Sequence, residues 1–333
     1  MEKGQETFAV ETLSLTKVYD GKAAVNHLNM QVRERAIYGF IGRNGAGKST
    51  TLKMICGLAR PTEGEIRLFG KTADNPCAAR RIGSLIESTG LYPKMSARQN
   101  LIMKARCMGL TDESQVDAAL NITGLADTGK KMVRHFSMGM KQRLGVALAL
   151  LGNPDLLILD EPINGLDPEG IREVRQLLLT LCEEGKTIIV SSHILGELSK
   201  IATHYGIIKE GNLVEQIDQE SLERKCKDYF QIEVDDCRRA LPLLLERMPG
   251  LQTEVPEGGL IRIYDLSDSA WVNKLLIENQ VQVYASGFHH MDLEEYFLNR
   301  MDDPENGRKA FHGKKAFHGK KAFRGEKEGE RHV

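Results

Sequence analysis

A glycine-rich segment with a single lysine is the part of the chain best suited to chemistry. Residues 42–50 read GRNGAGKST, which fits the pattern G-x-x-x-x-G-K-[ST] of a phosphate-binding loop, or P-loop. Glycines allow backbone N–H groups to converge on phosphate oxygens, and a helix N-terminus adds partial positive charge. The candidate nucleotide-binding residues here are Gly42, Asn44, Gly45, Ala46, Gly47, Lys48, Ser49 and Thr50.

The loop has a lysine and a hydroxyl where a bound nucleoside triphosphate needs them. Lys48 is placed to pair with the β- and γ-phosphates, and the Ser49 hydroxyl to hold Mg²⁺. The alternative is a glycine-rich turn with a chance lysine. The flanking sequence favours the P-loop, because an apolar strand is predicted at 36–41 and a helix at 51–56.

Two carboxylates end a second apolar run. Residues 156–161 read LLILDE, so Asp160 and Glu161 follow a predicted strand. Asp160 is a candidate magnesium ligand, and Glu161 is a candidate to orient or deprotonate an attacking water. Because strands commonly end in acidic residues, this pair alone is weak evidence for a nucleotide site. Together with the P-loop it is strong evidence.

The elements that must position these groups are those of an α/β fold. Runs without polar alternation are typical of parallel strands covered on both faces; they lie at 36–41, 156–159, 187–190 and 205–208. Helical patterns separate them. A segment from about 88 to 152 is rich in Ala, Leu, Met and charge and is predicted to be all-helical.

The pattern changes after about residue 218. Strands and helices alternate there in the order β-α-β-β-α-β, which predicts a small split-βαβ, ferredoxin-like domain; an irregular α/β appendage is the alternative. The predicted organisation is an ATPase domain at 1–218, a small α+β domain at 219–300 and a disordered basic tail at 301–333.

Further motifs make the chain resemble the ATPase subunit of an ABC transporter. Residues 136–143, FSMGMKQR, stand at the family's signature, and 164–167, NGLD, match its D-loop. His193 matches the switch histidine, and Tyr19 lies where the family stacks an aromatic ring on adenine. The resemblance implies ATP and Mg²⁺ as ligands and a homodimer in which Ser137 and Gly139 complete the ATP site of the second copy.

Two departures from the family pattern place the chain in one branch. Glu87 follows the predicted strand at 81–86, where the family usually has glutamine, and Met138 and Met140 replace the signature's Gly and Gln. Both features resemble the bacitracin-type and lantibiotic-immunity branch of peptide-antibiotic exporters. Glu87 thereby becomes a further candidate magnesium ligand, since a carboxylate binds this ion more strongly than an amide does but repels phosphate.

Composition limits where such a protein works. The 333 residues are 41% hydrophobic and 27% charged, as in globular proteins, and no apolar run approaches the ~20 residues of a membrane span. We see no signal peptide and no paired C-x-x-C cysteines, and we expect buried, reduced thiols. The expected location is cytoplasmic, peripheral to the membrane through a separate permease subunit.

Charge divides unevenly along the chain. The net charge is −1, of which residues 308–333 contribute +6 and the rest −7, so a nucleic-acid surface on the folded body is not expected. The tail repeats KAFHGK-like units of six residues, a period that suits neither helix nor strand. Contact of its Phe and Lys residues with an anionic membrane is one hypothesis; a tail without a role is the other.

Other classes of ATPase remain as alternatives. A soluble ABC ATPase acting on ribosomes resembles two fused cassettes, but the chain has one P-loop. A DNA-repair member has long coiled coils between P-loop and signature, whereas Lys48 and Ser137 are only 89 positions apart. A nucleotide-gated regulator without turnover is a third possibility, against which Glu161 and His193 speak.

Overall fold

The structure is a computed structural model. It describes residues 7–87, 90–226, 228–256, 258–266, 268–289, 294, 296–297 and 300. The strands are β1 (Phe8–Tyr19), β2 (Lys22–Leu28), β3 (Gln31–Arg33), β4 (Ile37–Ile41), β5 (Glu63–Leu68), β6 (Lys71–Thr72), β7 (Ile82–Leu85), β8 (Leu156–Asp160), β9 (Thr187–Ser192), β10 (His204–Lys209), β11 (Asn212–Asp218), β12 (Tyr229–Val234), β13 (Thr253–Glu254), β14 (Leu260–Tyr264) and β15 (Val283–His289). The helices are α1 (Lys48–Ile55), α2 (Pro76–Ala79), α3 (Ala97–Cys107), α4 (Ser114–Ile122), α5 (Met138–Leu150), α6 (Pro168–Glu183), α7 (Leu195–Leu198), α8 (Gln219–Lys225), α9 (Cys237–Arg247) and α10 (Ala270–Glu278), with 3₁₀ turns at Ala126–Thr128 and Val133–His135.

The largest sheet has six strands in the order β11-β10-β4-β9-β8-β7. Neighbours from β10 to β7 run parallel, and β11 adds an antiparallel edge. Every residue of β4, β8 and β9 is buried, as strands with helices or a second layer on both faces must be. The predicted α/β class is therefore confirmed.

A second, antiparallel sheet covers one side of α1. Its order is β2-β1-β5-β6, with β3 also paired to β1. Side chains of this sheet, of α1 and of the main sheet form one core cluster, in which Leu15, Leu52 and Phe40 are examples. Helix α1 is thus packed against both sheets. No strand was predicted before residue 36, so this layer was missed from the sequence.

The described elements between residues 90 and 152 are α3, α4, α5 and the two 3₁₀ turns, as an all-helical insert requires; the bounds of that insert, at about 88 and 152, remain a prediction. These helices have a core of their own. Helix α3 begins with a capping box, because Ser96 accepts from the Gln99 N–H while the Gln99 side chain accepts from the Ser96 N–H. Helix α5 contacts β7 and α6, which connects the insert to the main sheet.

The C-terminal part contains β12, α9, β13, β14, α10 and β15, in the predicted order. Its sheet order is β13-β14-β12-β15, and all neighbours are antiparallel. The topology of a split βαβ unit is thereby confirmed. Helices α9 and α10 pack on one face of the sheet through a separate core.

The chain returns to the main sheet near its end. Phe297 is fully buried in the core of that sheet, and its ring centroid lies 5.6 Å from that of Tyr205. Leu222 of α8 is in the same cluster. The domain boundary at residue 218 remains a prediction. It falls just before α8, a helix that packs on the core of the main sheet.

Expectations about cysteines, membrane segments and the tail have different outcomes. None of the six cysteines, all of which the structure describes, forms a disulfide, but the prediction that they are buried is wrong: Cys77 and Cys107 are exposed and the other four are partly exposed. Among the described helices, none combines the length and apolar composition needed to cross a bilayer. The predicted disordered tail at 301–333 lies outside the described residues.

Candidate nucleotide site

The candidate site lies where neighbouring parallel strands end. The P-loop follows β4, His193 follows β9, Glu161 follows β8 and Glu87 lies two residues after β7. Strand register aligns these ends, since Ile41 pairs with Ser192 and Asp160 with Ser191. Open parallel sheets bind ligands outside the carboxyl ends of their strands, so the topology brings the predicted groups to one edge.

Glycine is required at two positions of the P-loop. Gly47 has φ +108°, and a Cβ there would come within 2.6 Å of the Ala24 carbonyl oxygen. A Cβ on Gly42 would lie 2.6 Å from the Ile208 carbonyl oxygen. Any larger residue would therefore displace the backbone between β4 and α1. The loop wraps the N-terminus of α1, whose N-cap is Gly47.

Lys48 is held at the centre of the site. It is 5% exposed, and its ammonium donates to the Gly42 carbonyl at 2.6 Å and to the Arg43 carbonyl at 3.4 Å. Its Nζ also lies 3.5 Å from Glu161 Oε1. Phosphate oxygens are stronger acceptors for an ammonium than neutral carbonyls are, so these contacts keep the lysine in place for an anionic ligand.

A buried serine connects the Asp160 carboxylate to the backbone of Glu161. Ser191 Oγ donates to Asp160 Oδ1 at 2.5 Å and accepts from the Glu161 N–H at 2.9 Å. Asp160 is 7% exposed, so this bond satisfies one of its oxygens and fixes its orientation. Ser191 was not among the residues predicted from the sequence. The available signal was a pair of serines, 191 and 192, ending an otherwise apolar strand.

Glu161 joins the lysine to the histidine. His193 Nδ1 lies 2.8 Å from Glu161 Oε2, while Oε1 faces Lys48. Within the described residues, Oε1 is buried and has no hydrogen-bond partner, although the Lys48 charge is near. A buried carboxylate oxygen with spare acceptor capacity is suited to take a hydrogen bond from water. Glu161 has φ +51°, so the backbone turns sharply to direct this side chain.

Glu87 and Tyr19 lie at the rim of the site. The exposed Glu87 carboxylate accepts from Lys53 Nζ at 2.5 Å. This hydrogen bond, and then the charges of Glu87, Tyr19 and Asp160, raise the pKa of Lys53, while partial desolvation opposes the shift. Tyr19 ends β1 and is 47% exposed, with Lys17 Nζ 4.9 Å from its ring centroid. An exposed ring is available for stacking.

The signature residues have contacts of a different kind. Ser137 is the N-cap of α5, and its Oγ accepts from the Met140 N–H at 3.2 Å. Gly139 is buried, and a Cβ there would lie 3.6 Å from Gly170 Cα. Met138 is exposed beside Gly165 of the D-loop. The structure therefore connects Lys48, Glu161 and His193 directly and Asp160 through Ser191, whereas the hydrogen bond of the Ser137 hydroxyl within the described part of the chain is to its own helix.

Comparison with known proteins agrees with this geometry. A family model described as "ABC transporter" matches residues 25–164. The bacitracin transport ATP-binding protein BcrA of Bacillus licheniformis is 43% identical over 87% of this chain and 96% of its own length. The lantibiotic transport ATP-binding protein SrtF of Streptococcus pyogenes is 43% identical over 60% of this chain and 87% of its own.

A solved structure supports the same assignment. The dimeric ATP-binding cassette MJ0796, in a post-hydrolysis state with ADP and Pi, aligns with a TM-score of 0.56 and 26% identity, over 63% of this chain and 98% of that one. The P-loop, the paired carboxylates and these relatives define an ATP-hydrolysing protein. The chain belongs to the ABC transporter family as an ATP-binding subunit.

Proposed function

We propose that this chain hydrolyses ATP to power the export of peptide antibiotics of the bacitracin or lantibiotic kind, as a homodimer on a separate permease at the cytoplasmic face of the membrane. The linked trio of Lys48, Glu161 and His193 carries the ATPase part. The names of the relatives that match over most of the chain support the cargo class. Such export provides resistance or self-immunity to the peptide antibiotic.

The roles of the trio follow from its geometry. Lys48 and the backbone N–H groups of residues 45–50 bind the triphosphate, with the N-terminus of α1 adding its dipole. Glu161 Oε1 accepts a hydrogen bond from the attacking water and orients it toward the γ-phosphorus. His193 holds Glu161 through Oε2, and in this proposal it senses loss of the γ-phosphate.

The oxygens near the phosphates fit a magnesium ion. Asp160 offers a carboxylate oriented by Ser191, and Ser49 a partly exposed hydroxyl at the start of α1; hard oxygen donors of this kind suit Mg²⁺. When bound, Mg²⁺ neutralises charge on the β- and γ-phosphates. Gly42, Asn44, Gly45, Ala46, Gly47, Thr50 and Tyr19 complete the proposed nucleotide contacts.

A second copy supplies the side of the site that one chain leaves open. Ser137 caps the 13-residue helix α5 and is exposed, so its hydroxyl and the helix N-terminus are available to an anion from outside the chain. In this proposal Gly139 contributes its backbone N–H, in the first turn of the same helix. In the homodimer that we propose, these groups close over the γ-phosphate held by the other copy's P-loop.

A groove between the main sheet and the insert is the proposed permease contact. It encloses about 310 Å³, with Leu58, Tyr92, Met103 and Leu148 among its lining residues. Asn100, which is buried, accepts from the Tyr92 N–H at 2.8 Å and donates to the Tyr92 carbonyl at 3.2 Å. The backbone is therefore fixed while the Tyr92 ring stays 52% exposed, as an aromatic anchor for a docked helix requires.

Resistance assays test the proposed cargo. Deleting the gene should lower resistance of the native cells to bacitracin or to a lantibiotic, and the wild-type gene, but not Glu161→Gln, should restore it. Unchanged resistance to both classes would contradict the export proposal while leaving the ATPase assignment intact. Resistance that Glu161→Gln restores in full would favour a regulator without turnover.

Membrane association tests the permease contact. Tyr92→Asp should release the chain from native membranes while preserving nucleotide binding, because none of the residues that line the groove is among the P-loop contacts described above. Ile277→Asp, at an exposed position on α10, is the matched control and should stay membrane-bound. Equal association of both variants would contradict docking at this groove, and recovery with ribosomes or DNA would favour the soluble ATPase alternative.

A further inference from the structure

Helix α1 carries two lysine–glutamate pairs. Lys48, at its first residue, lies 3.5 Å from Glu161, and Lys53, in its last turn, lies 2.5 Å from Glu87. The proposed function gives the first pair a role in binding phosphate and positioning water. It gives the second pair none, although both pairs connect the same helix to the carboxyl edge of the main sheet.

Lys53 lies at the rim of the proposed nucleotide site, where it pairs with Glu87. The charges that raise the pKa of Lys53 after its bond to Glu87 include those of Tyr19 and Asp160. These are the residues that we place at the base and at the metal, respectively. The Lys53 side chain is about one-third exposed, so its ammonium lies at the surface beside these groups.

Glu87 is held in a backbone conformation that few residues adopt. Its φ is +62°, in the left-handed region that costs free energy for a residue with a Cβ. It follows β7, whose Leu85 pairs with Leu159, the residue before Asp160. An unpaired carboxylate at this edge would attract Mg²⁺ and repel the phosphates of a metal-free nucleotide.

We propose that Lys53 is a positioning residue that holds the Glu87 carboxylate in an ion pair and thereby keeps it from acting on the metal and the phosphates. This inference rests on the proposed nucleotide site. It revises the expectation for Glu87: while paired with Lys53, Glu87 is not a magnesium ligand. Lys53 compensates the negative charge of Glu87. Glutamine, the usual residue at this position, carries no such charge.

The pair predicts opposite effects with and without metal when Lys53 is removed. In Lys53→Met the freed Glu87 should repel phosphate, so nucleotide binding in EDTA should weaken about threefold to tenfold. The same freed carboxylate should bind Mg²⁺, so the Mg²⁺ concentration needed for half-maximal nucleotide binding should fall by a similar factor. Both effects should vanish when Lys53→Met is combined with Glu87→Gln.

The test is a double-mutant cycle that measures binding alone. Fluorescent N-methylanthraniloyl-ADP is titrated into wild type, Lys53→Met, Glu87→Gln and the double variant, in EDTA and across a Mg²⁺ series. We expect Lys53→Met to shift both curves only where Glu87 is present. Equal shifts with and without the Glu87→Gln substitution would overturn the proposal, because Lys53 would then act on the nucleotide directly.

Two further variants keep the result interpretable. Lys53→Arg preserves the ion pair and should behave as wild type, and the exchange Lys53→Glu/Glu87→Lys should recover most of the wild-type binding in EDTA. If the exchanged variant is folded, as shown by circular dichroism, but does not recover binding in EDTA, the proposed ion pair is also contradicted. If wild type itself failed to bind the probe, the nucleotide site would be wrong; binding without coupling would overturn this inference alone.

Discussion

The P-loop side and the signature side of the site are built in contrasting ways. Around Lys48, side chains contact one another: Glu161 lies between the lysine and His193, and Ser191 fixes Asp160. Ser137 is exposed and contacts its own helix. The P-loop side is a network of contacts within one chain. The signature side exposes a serine hydroxyl and the N-terminus of α5 to the outside of the chain.

This difference indicates what a single chain does by itself. The P-loop side is preorganised, because its charged groups are held by the main sheet before any ligand arrives. The signature side contacts a phosphate only when another molecule presents one to it. We therefore expect nucleotide binding to be a property of one chain and hydrolysis a property of two, and the following variants separate these properties.

The largest expected effect is on turnover, through the carboxylate of the P-loop side. Glu161→Gln should lower the ATPase rate by about 10² to 10⁴-fold, the usual contribution of a general base, and leave ATP affinity nearly unchanged. Steady-state turnover and equilibrium ATP binding measure the two effects. Glu197→Gln, which alters a partly buried glutamate of α7 that pairs with Arg175, is the control and should retain turnover; equal rates for wild type and Glu161→Gln would contradict the role of Glu161.

The signature side should also control turnover but not binding. Ser137→Arg places a bulky charge where the second copy's nucleotide must approach, so turnover should fall at least about 10²-fold, as for loss of a transition-state donor. Binding of ATP to the monomer should stay within about twofold of wild type. Ser114→Arg, at an exposed position starting α4, is the control. Parallel loss of binding and turnover would show that both sides of the site lie within one chain.

Ser191 tests whether the network on the P-loop side is needed. Ser191→Ala removes the bond that orients Asp160, and the apparent Mg²⁺ affinity in ATP hydrolysis should fall about 10 to 100-fold, as for other groups that support metal ligands. Ser192→Ala is the matched control, since Ser192 is equally buried but accepts from the Ile194 N–H. Equal Mg²⁺ dependence of the two variants would contradict the assigned role of Ser191.

The smallest effect is expected at the rim. Tyr19→Ala should weaken ATP binding by about 1 kcal/mol, roughly fivefold, because base–aromatic stacking is of this size. Tyr19→Phe preserves the ring and should bind as wild type does. Titration of both variants with ATP measures the difference, and equal affinities would remove Tyr19 from the site.

Sequence alone predicted the parts of the site that depend on local pattern. The P-loop, the acidic strand end and the parallel strands have strong signals, because each combines continuous apolar runs with turn residues. Ser191 and Lys53 were missed because their roles come from strands and helices far apart in sequence. The antiparallel sheet before residue 36 was missed for a related reason: β1 is irregular, with register shifts against β2, β3 and β5, and lacks a simple alternating pattern.

The C-terminal part shows the same limit. The order of its strands and helices was predicted from alternation and turn residues. The return of Phe297 to the main sheet was not, since a single aromatic residue 92 positions after Tyr205 carries no local signal of that contact. Long-range packing of this kind depends on the whole fold, and one sequence does not reveal it.

Light scattering during size-exclusion chromatography tests the central claim most directly. With Mg·ATP, Glu161→Gln should elute as a dimer of about 74 kDa, twice the 37.2 kDa chain, and return to a monomer when ATP is removed. The double variant Glu161→Gln/Ser137→Arg should remain a monomer under the same conditions. A dimer that persists with Ser137→Arg, or a monomer of Glu161→Gln at high protein and ATP concentration, would contradict the two-chain site.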